Sequence, residues 1–133
     1  MFINPHAALG YYAADGFDAY DETMAPVSPD SHSRRTSFTR GIGGLKTFFT
    51  ELRNDSLGKR YYLGEWHSHP AGTACPSATD DENQSAISND DETDCPKSIL
   101  LLLGGEPSID PQLGVFVYSR TSARIDLLPV VAQ

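Results

Sequence analysis

The stretch that most constrains this chain runs from His67 to Asp80: His67-Ser68-His69-Pro70, six further residues, then Ser77-Ala78-Thr79-Asp80. The run leading into it, Tyr61 to His69, is rich in aromatic and strand-forming residues and meets Pro70, which has no backbone donor to continue a ladder. Side chains alternate faces along a strand, so His67 and His69 leave the same face with Cα atoms roughly 6.6 Å apart. Ser77-x-x-Asp80 has the form of an N-terminal cap and predicts a helix from about Ala78 to Ser88, with Asp80 at its third position. The positive end of the helix dipole favours an ionised carboxylate there. Two imidazoles and one carboxylate can therefore converge on one cation.

A His-x-His pair alone is more often structural than metallic, and it is the Pro, Ser and Asp downstream that turn the reading toward a metal. Three N/O ligands leave one position of a tetrahedral zinc open, the layout of a catalytic rather than a structural site. Such a site supplies a water acidified to a pKa of about 7 and a polarised carbonyl. Ser77 has two uses, since a hydroxyl accepts and donates. It caps the helix as an acceptor, and as a donor it can face the open position where an oxyanion would develop.

Around this centre the pattern predicts two strands, 7–13 and 17–26, about the turn Ala14-Asp15-Gly16, and then a Pro/Ser/Asp-rich loop from Pro26 to Arg35 with no regular element. Leu45, Phe48, Phe49 and Leu52 fall at i, i+3, i+4 and i+7, one stripe of a helix that ends near Asn54 and packs on a sheet. Asn89 to Asp94 is a solvated connector, and the acidic run from Asp80 onward, Asp80 excepted, is a solvated face. Lys97 to Leu103 is a buried strand closed by Gly104-Gly105, followed by strands near Leu113–Ser119 and Ala123–Leu128. Trp66 points away from the histidines into the core, and His6 and His32 are ordinary surface residues. There is no repeat or second domain, so residues 1–133 are read as one α+β domain.

The chain is 39% hydrophobic and 21% charged, ordinary for a globular protein, but carries a formal charge of -8. That field repels phosphate backbones and anionic lipid, so neither nucleic acid nor a membrane is expected as a partner. A basic or neutral protein partner fits, as does surface adaptation to a salty cytoplasm. The longest apolar run falls far short of the ~20 residues a membrane helix needs, and the opening residues lack the form of a secretory signal, so a cytoplasmic location is expected. Cys75 and Cys95 are either one disulfide at one end of the sheet or two reduced thiols. Cys75 as a fourth ligand would close the site to substrate.

His67-x-His69-Pro70-x6-Ser77-x-x-Asp80 resembles the complete signature of the JAMM/MPN+ zinc metallopeptidases, and Gly64-Glu65-Trp66 before it is similar to short prokaryotic members. The resemblance, which extends to the order of elements over nearly the whole chain, implies an MPN/cytidine-deaminase-like fold: a central, mostly antiparallel, curved β-sheet flanked by helices. It implies Zn2+ held by His67, His69 and Asp80, Ser77 as stabiliser of the tetrahedral intermediate, and hydrolysis of isopeptide or peptide bonds at the C-terminus of a ubiquitin-like protein. Some bacterial members act in anti-phage operons or sulfur-carrier pathways. The family also uses a glutamate on an early strand as general acid/base. The stretch matching its place, Ile3-Asn4-Pro5, holds no acid. The expectation is that this glutamate lies upstream of Met1, with Glu22 and Glu65 as stand-ins. The second reading is a metal-binding but catalytically silent scaffold. A nucleobase deaminase, which shares the architecture, would need His-x-Glu and Pro-Cys-x-x-Cys, and neither string occurs.

Overall fold

The computed structural model describes residues 9–12, 18–21, 32–34, 37–39, 44–58 and 62–129. The chain divides into two compact units, Phe2–Tyr61 and Tyr62–Gln133 with Met1. In the first, β1 (Leu9–Tyr12) pairs antiparallel with β2 (Asp18–Asp21), placing Gly10 opposite Tyr20. The expected hairpin forms, while its turn and Glu22 lie outside the described residues, as does His6. β3 (His32–Arg34) pairs with β4 (Ser37–Thr39). This corrects the expectation of an unstructured loop through Arg35, because a second antiparallel partner close in sequence supplies the ladder that the local propensity does not foretell.

Helix α1 (Leu45–Asp55) starts from Gly44, whose left-handed φ of 78° is open to glycine at little cost. Phe48, Phe49 and Leu52 are half-buried, whereas Thr50, Glu51, Arg53 and Asn54 are exposed, so the amphipathic stripe is present without full burial. Phe48 and Phe49 meet edge to face at 5.4 Å.

The second unit is a four-stranded sheet in the order β5-β6-β7-β8, with β5 Gly64–Ser68, β6 Lys97–Glu106, β7 Asp110–Ser119 and β8 Ile125–Leu127. β5 runs parallel to β6, joined through α2 (Ala78–Asn89), and the other pairs are antiparallel. The α+β class is as expected. β6 does not close at Gly104-Gly105 but runs on to Glu106, because both glycines pair with β7, opposite Gln112 and Pro111.

Register defines the faces. Leu100, Leu102, Phe116, Tyr118 and Ala74 form one buried cluster, on the sheet face that α2 covers. Gly104 and Gly114 lie on this same face, where a Cβ would stand 2.6 Å from the Ala74 nitrogen and 2.2 Å from its carbonyl oxygen. The loop after β5 therefore presses directly on bare backbone, and Gly105 N–H donates to the Gly72 carbonyl at 2.7 Å. Ile99, Leu101, Val115 and Val117 are buried on the opposite face.

One expectation fails, and one open alternative is decided. Trp66 shares that opposite face but is 38% exposed rather than core, since β5 has a described partner strand on one side only, β6. Cys75 and Cys95 are free thiols, the first exposed and the second buried, so no disulfide joins them. Cys95 donates instead to the Lys97 carbonyl at 3.2 Å, and burial pushes its thiol up to about 12.

Candidate metal centre

His67 pairs with Leu102 in the β5–β6 register, which points its ring to the α2 side of the sheet. His69 extends that pairing one step past the strand by donating its N–H to the Leu103 carbonyl at 2.8 Å. Ala71, in the left-handed region at φ 57°, then turns the chain back, and its return is pinned on the glycine surface described above. Ser77 caps α2 reciprocally. Its hydroxyl accepts from Asp80 N–H at 3.2 Å, and Asp80 Oδ2 accepts from the Ser77 N–H and hydroxyl, both at 2.7 Å. The capping motif read from the sequence thus forms and aims the Asp80 carboxylate back toward β5.

His67, His69 and Asp80 consequently meet. His67 Nε2 lies 3.2 Å from His69 Nε2 and 3.0 Å from Asp80 Oδ1, and His69 Nε2 lies 3.3 Å from Asp80 Oδ2. One potential ligand atom from each falls within 4.8 Å of the others, and among the described residues this is the group of His, Cys, Asp or Glu side chains that could hold a metal ion. All three are partly exposed.

The donor chemistry fits a cation. His69 Nδ1 faces the Thr73 carbonyl at 3.2 Å, and a carbonyl only accepts, so the neutral ring carries its proton on Nδ1 and presents a lone pair at Nε2. That lone pair faces a carboxylate oxygen and a second imidazole nitrogen, an arrangement that a shared positive ion stabilises. A carbonyl fixing the tautomer of a ligating histidine is the usual outer partner of such a site. Burial raises the Asp80 pKa, but the N–H and hydroxyl that Ser77 donates to it, with further attraction from the histidines whenever they are protonated, leave the carboxyl below its ordinary value and ionised at neutral pH. Oδ2 is engaged by Ser77 and Oδ1 is not, so Oδ1 is the oxygen with both lone pairs to offer.

Ser77 stands beside the group but spends its hydroxyl proton on Asp80. Glu65 shares the histidine face by alternation, yet it accepts from the Tyr62 hydroxyl at 2.9 Å and is not one of the converging residues. Cys75 is also outside the group.

Sequence reading missed the polar contacts that seat α2. Asp80, Gln84 and Ser88 recur at i, i+4 and i+8, and Gln84 and Ser88 are fully buried against β6 and β7. That spacing was the available signal, hidden because a buried helix stripe is looked for among apolar residues. Asp81 likewise, although its side chain is partly exposed, is not a free surface acid. It accepts from the Tyr118 hydroxyl at 2.6 Å and from Arg124 Nη1 at 2.8 Å.

A parallel β-α-β unit with one histidine on its first strand, a second just past it and a helix-cap aspartate, within a mixed sheet, agrees with the family resemblance read from the sequence. The chain matches the family of prokaryotic homologs of the JAB domain over residues 13–121, and it belongs to that family. It is also similar to a protein of Enterobacter hormaechei subsp. hoffmannii (strain UCI 50) named CD-NTase/cGAS isopeptidase, at 32% identity over 123 residues that span 92% of this chain and 67% of the relative.

Proposed function

We propose that this chain is a zinc-dependent isopeptidase that hydrolyses the bond joining the C-terminus of a ubiquitin-like protein to its target, and that residues 1–133 act as one domain. The observation that carries the reading is the convergence of two imidazole nitrogens and Asp80 at 3.0 to 3.3 Å. Membership of the JAB family and likeness to a protein named as an isopeptidase support the reaction class. The family match runs across both compact units, which supports the single domain.

His67 Nε2, His69 Nε2 and Asp80 Oδ1 would hold the ion. Zinc, when bound, supplies an acidified water and Lewis acidity toward a carbonyl. The Thr73 carbonyl keeps the His69 lone pair on the site side, and the Ser77 N–H steadies Asp80 Oδ2 without occupying Oδ1. Ser77 acts by rotating its hydroxyl from Oδ2 toward oxyanion charge developing on the substrate; the N–H to Oδ2 bond persists and keeps Asp80 in place. The net charge of -8 makes a nucleic-acid ligand or an anionic membrane surface unfavourable, and among the described residues no helix is long and apolar enough to cross a membrane. Two free thiols fit a reducing compartment such as the cytoplasm.

A second reading, a metal-binding scaffold without turnover, is favoured by one feature: the stretch matching the place of the family's general acid/base, Ile3-Asn4-Pro5, holds no acid. Incubating the purified protein with a ubiquitin-like protein fused through its C-terminal glycine to a reporter separates the two. The enzyme reading expects release of the reporter that stops on chelation, returns with Zn2+ and is lost in Asp80→Asn. Release that survives chelation or Asp80→Asn defeats it, and zinc binding without release for any conjugate tried establishes the scaffold.

A further inference from the structure

We propose that Gln84, a buried residue one helical turn after Asp80, is a positioning residue that sets the reach of Asp80 to the two histidines. The inference rests on the metal-centre reading above and deepens it. α2 has few apolar side chains to seat it: its fully buried residues are Gln84 and Ser88. Apolar contact is non-directional and tolerates sliding, whereas a hydrogen bond defines both distance and angle. The setting of α2 on the sheet is therefore defined by polar contacts.

Gln84 makes two of them. Its Nε2 donates to Ser98 Oγ at 3.1 Å and to the Ile99 carbonyl at 3.2 Å, both on β6. Ser88, one turn further, bonds Ser98 Oγ at 2.8 Å and donates to the Tyr118 carbonyl at 3.2 Å. β6 is also the strand whose parallel partner carries His67, with Gly64 opposite Ile99 and His67 opposite Leu102. Gln84 thus ties the helix bearing Asp80 to the strand against which the histidine strand is registered. Residues i and i+4 lie one above the other on a helix, so a displacement at Gln84 is carried along a rigid turn to Asp80. Contacts of 3.0 and 3.3 Å leave little tolerance for it.

Gln84→Met keeps the side chain's length and volume and deletes both donors. Gln84→Asn keeps the carboxamide one methylene short, so it either loses both acceptors or draws the helix inward, and Asp80 moves in each case. The comparison is Val117→Ala, which opens a cavity on the opposite sheet face and touches neither α2 nor the ligand group. The readouts are zinc affinity by competition with a chromogenic chelator, and the thermal midpoint without metal. Outer-shell changes weaken metal binding by about 10- to 100-fold, and that loss is expected for Gln84→Met and Gln84→Asn. Val117→Ala, lowered in thermal midpoint, should keep wild-type affinity. Wild-type zinc affinity in either folded Gln84 variant, or a loss no greater than in Val117→Ala, overturns the inference alone. A wild type that takes up no zinc overturns the metal-centre reading and this inference with it.

Discussion

Tyr118→Phe removes one oxygen atom from a site whose geometry lets the consequence be worked out. The Tyr118 side chain is buried at the end of β7, and its hydroxyl donates to Asp81 Oδ1 at 2.6 Å, beside Arg124 Nη1 at 2.8 Å on the same oxygen. A hydrogen bond to a charged group contributes about 1.5 to 3 kcal/mol. Two features reduce that here: Asp81 is 43% exposed, so water screens it, and Arg124 remains as a partner. The expected loss is about 1 kcal/mol at pH 7, read as the difference in urea unfolding free energy between wild type and variant. The pH dependence follows from linkage. The Tyr118 hydrogen bond is the leading reason that the Asp81 carboxyl is held below its ordinary value, with Arg124 adding to it against slight burial. A depressed folded pKa stabilises the protein above the unfolded value of about 3.9 and ceases to do so as pH falls through the folded value. Wild type and variant should therefore differ fully at neutral pH and converge in acid below pH about 4. A difference under a few tenths of a kcal/mol at pH 7, or one unchanged in acid, would refute the role given to this contact.

Gly104→Ala places a methyl group where the Ala74 nitrogen lies 2.6 Å away; the loop joining the histidines to Ser77 must lift, and both the thermal midpoint and zinc affinity should drop, whereas an unchanged affinity would show that the loop is not held by β6. Cysteine labelling in the folded protein should modify Cys75 rapidly and Cys95 only on unfolding, because the Cys95 thiol is buried and pushed up to about 12. Fast reaction of both thiols would contradict that placement.

The site was legible because its geometry is local. Two residues apart on a strand, and a cap aspartate three residues after a serine, are relations that strand alternation and helix capping specify without any tertiary knowledge. What the sequence concealed depends on partners distant along the chain. Trp66 reads as core by its chemistry, but its exposure is decided by strand order, with β5 flanked by β6 alone among the described strands. Gly104 and Gly105 read as a strand end, and only the register with Gln112 and Pro111, together with the loop lying on Gly104, shows why glycines continue the strand. Asp81 and Gln84 fall within the acidic run that reads as a solvated face, because their partners, Tyr118 and Ser98 on strands and Arg124 just before β8, arrive from segments that no periodicity links to α2. Cys75 and Cys95 could be counted but not paired, and their separation into one exposed and one buried thiol is a property of the fold alone.

Everything proposed for the site requires that the His67, His69 and Asp80 group bind a metal. Elemental analysis of the purified chain after equilibration with Zn2+ and gel filtration measures this directly. One zinc per chain in the wild type, and none retained by the His67→Ala/His69→Ala double variant with unchanged secondary structure, is the predicted result. Equal zinc in the two proteins, or none in either, would contradict it.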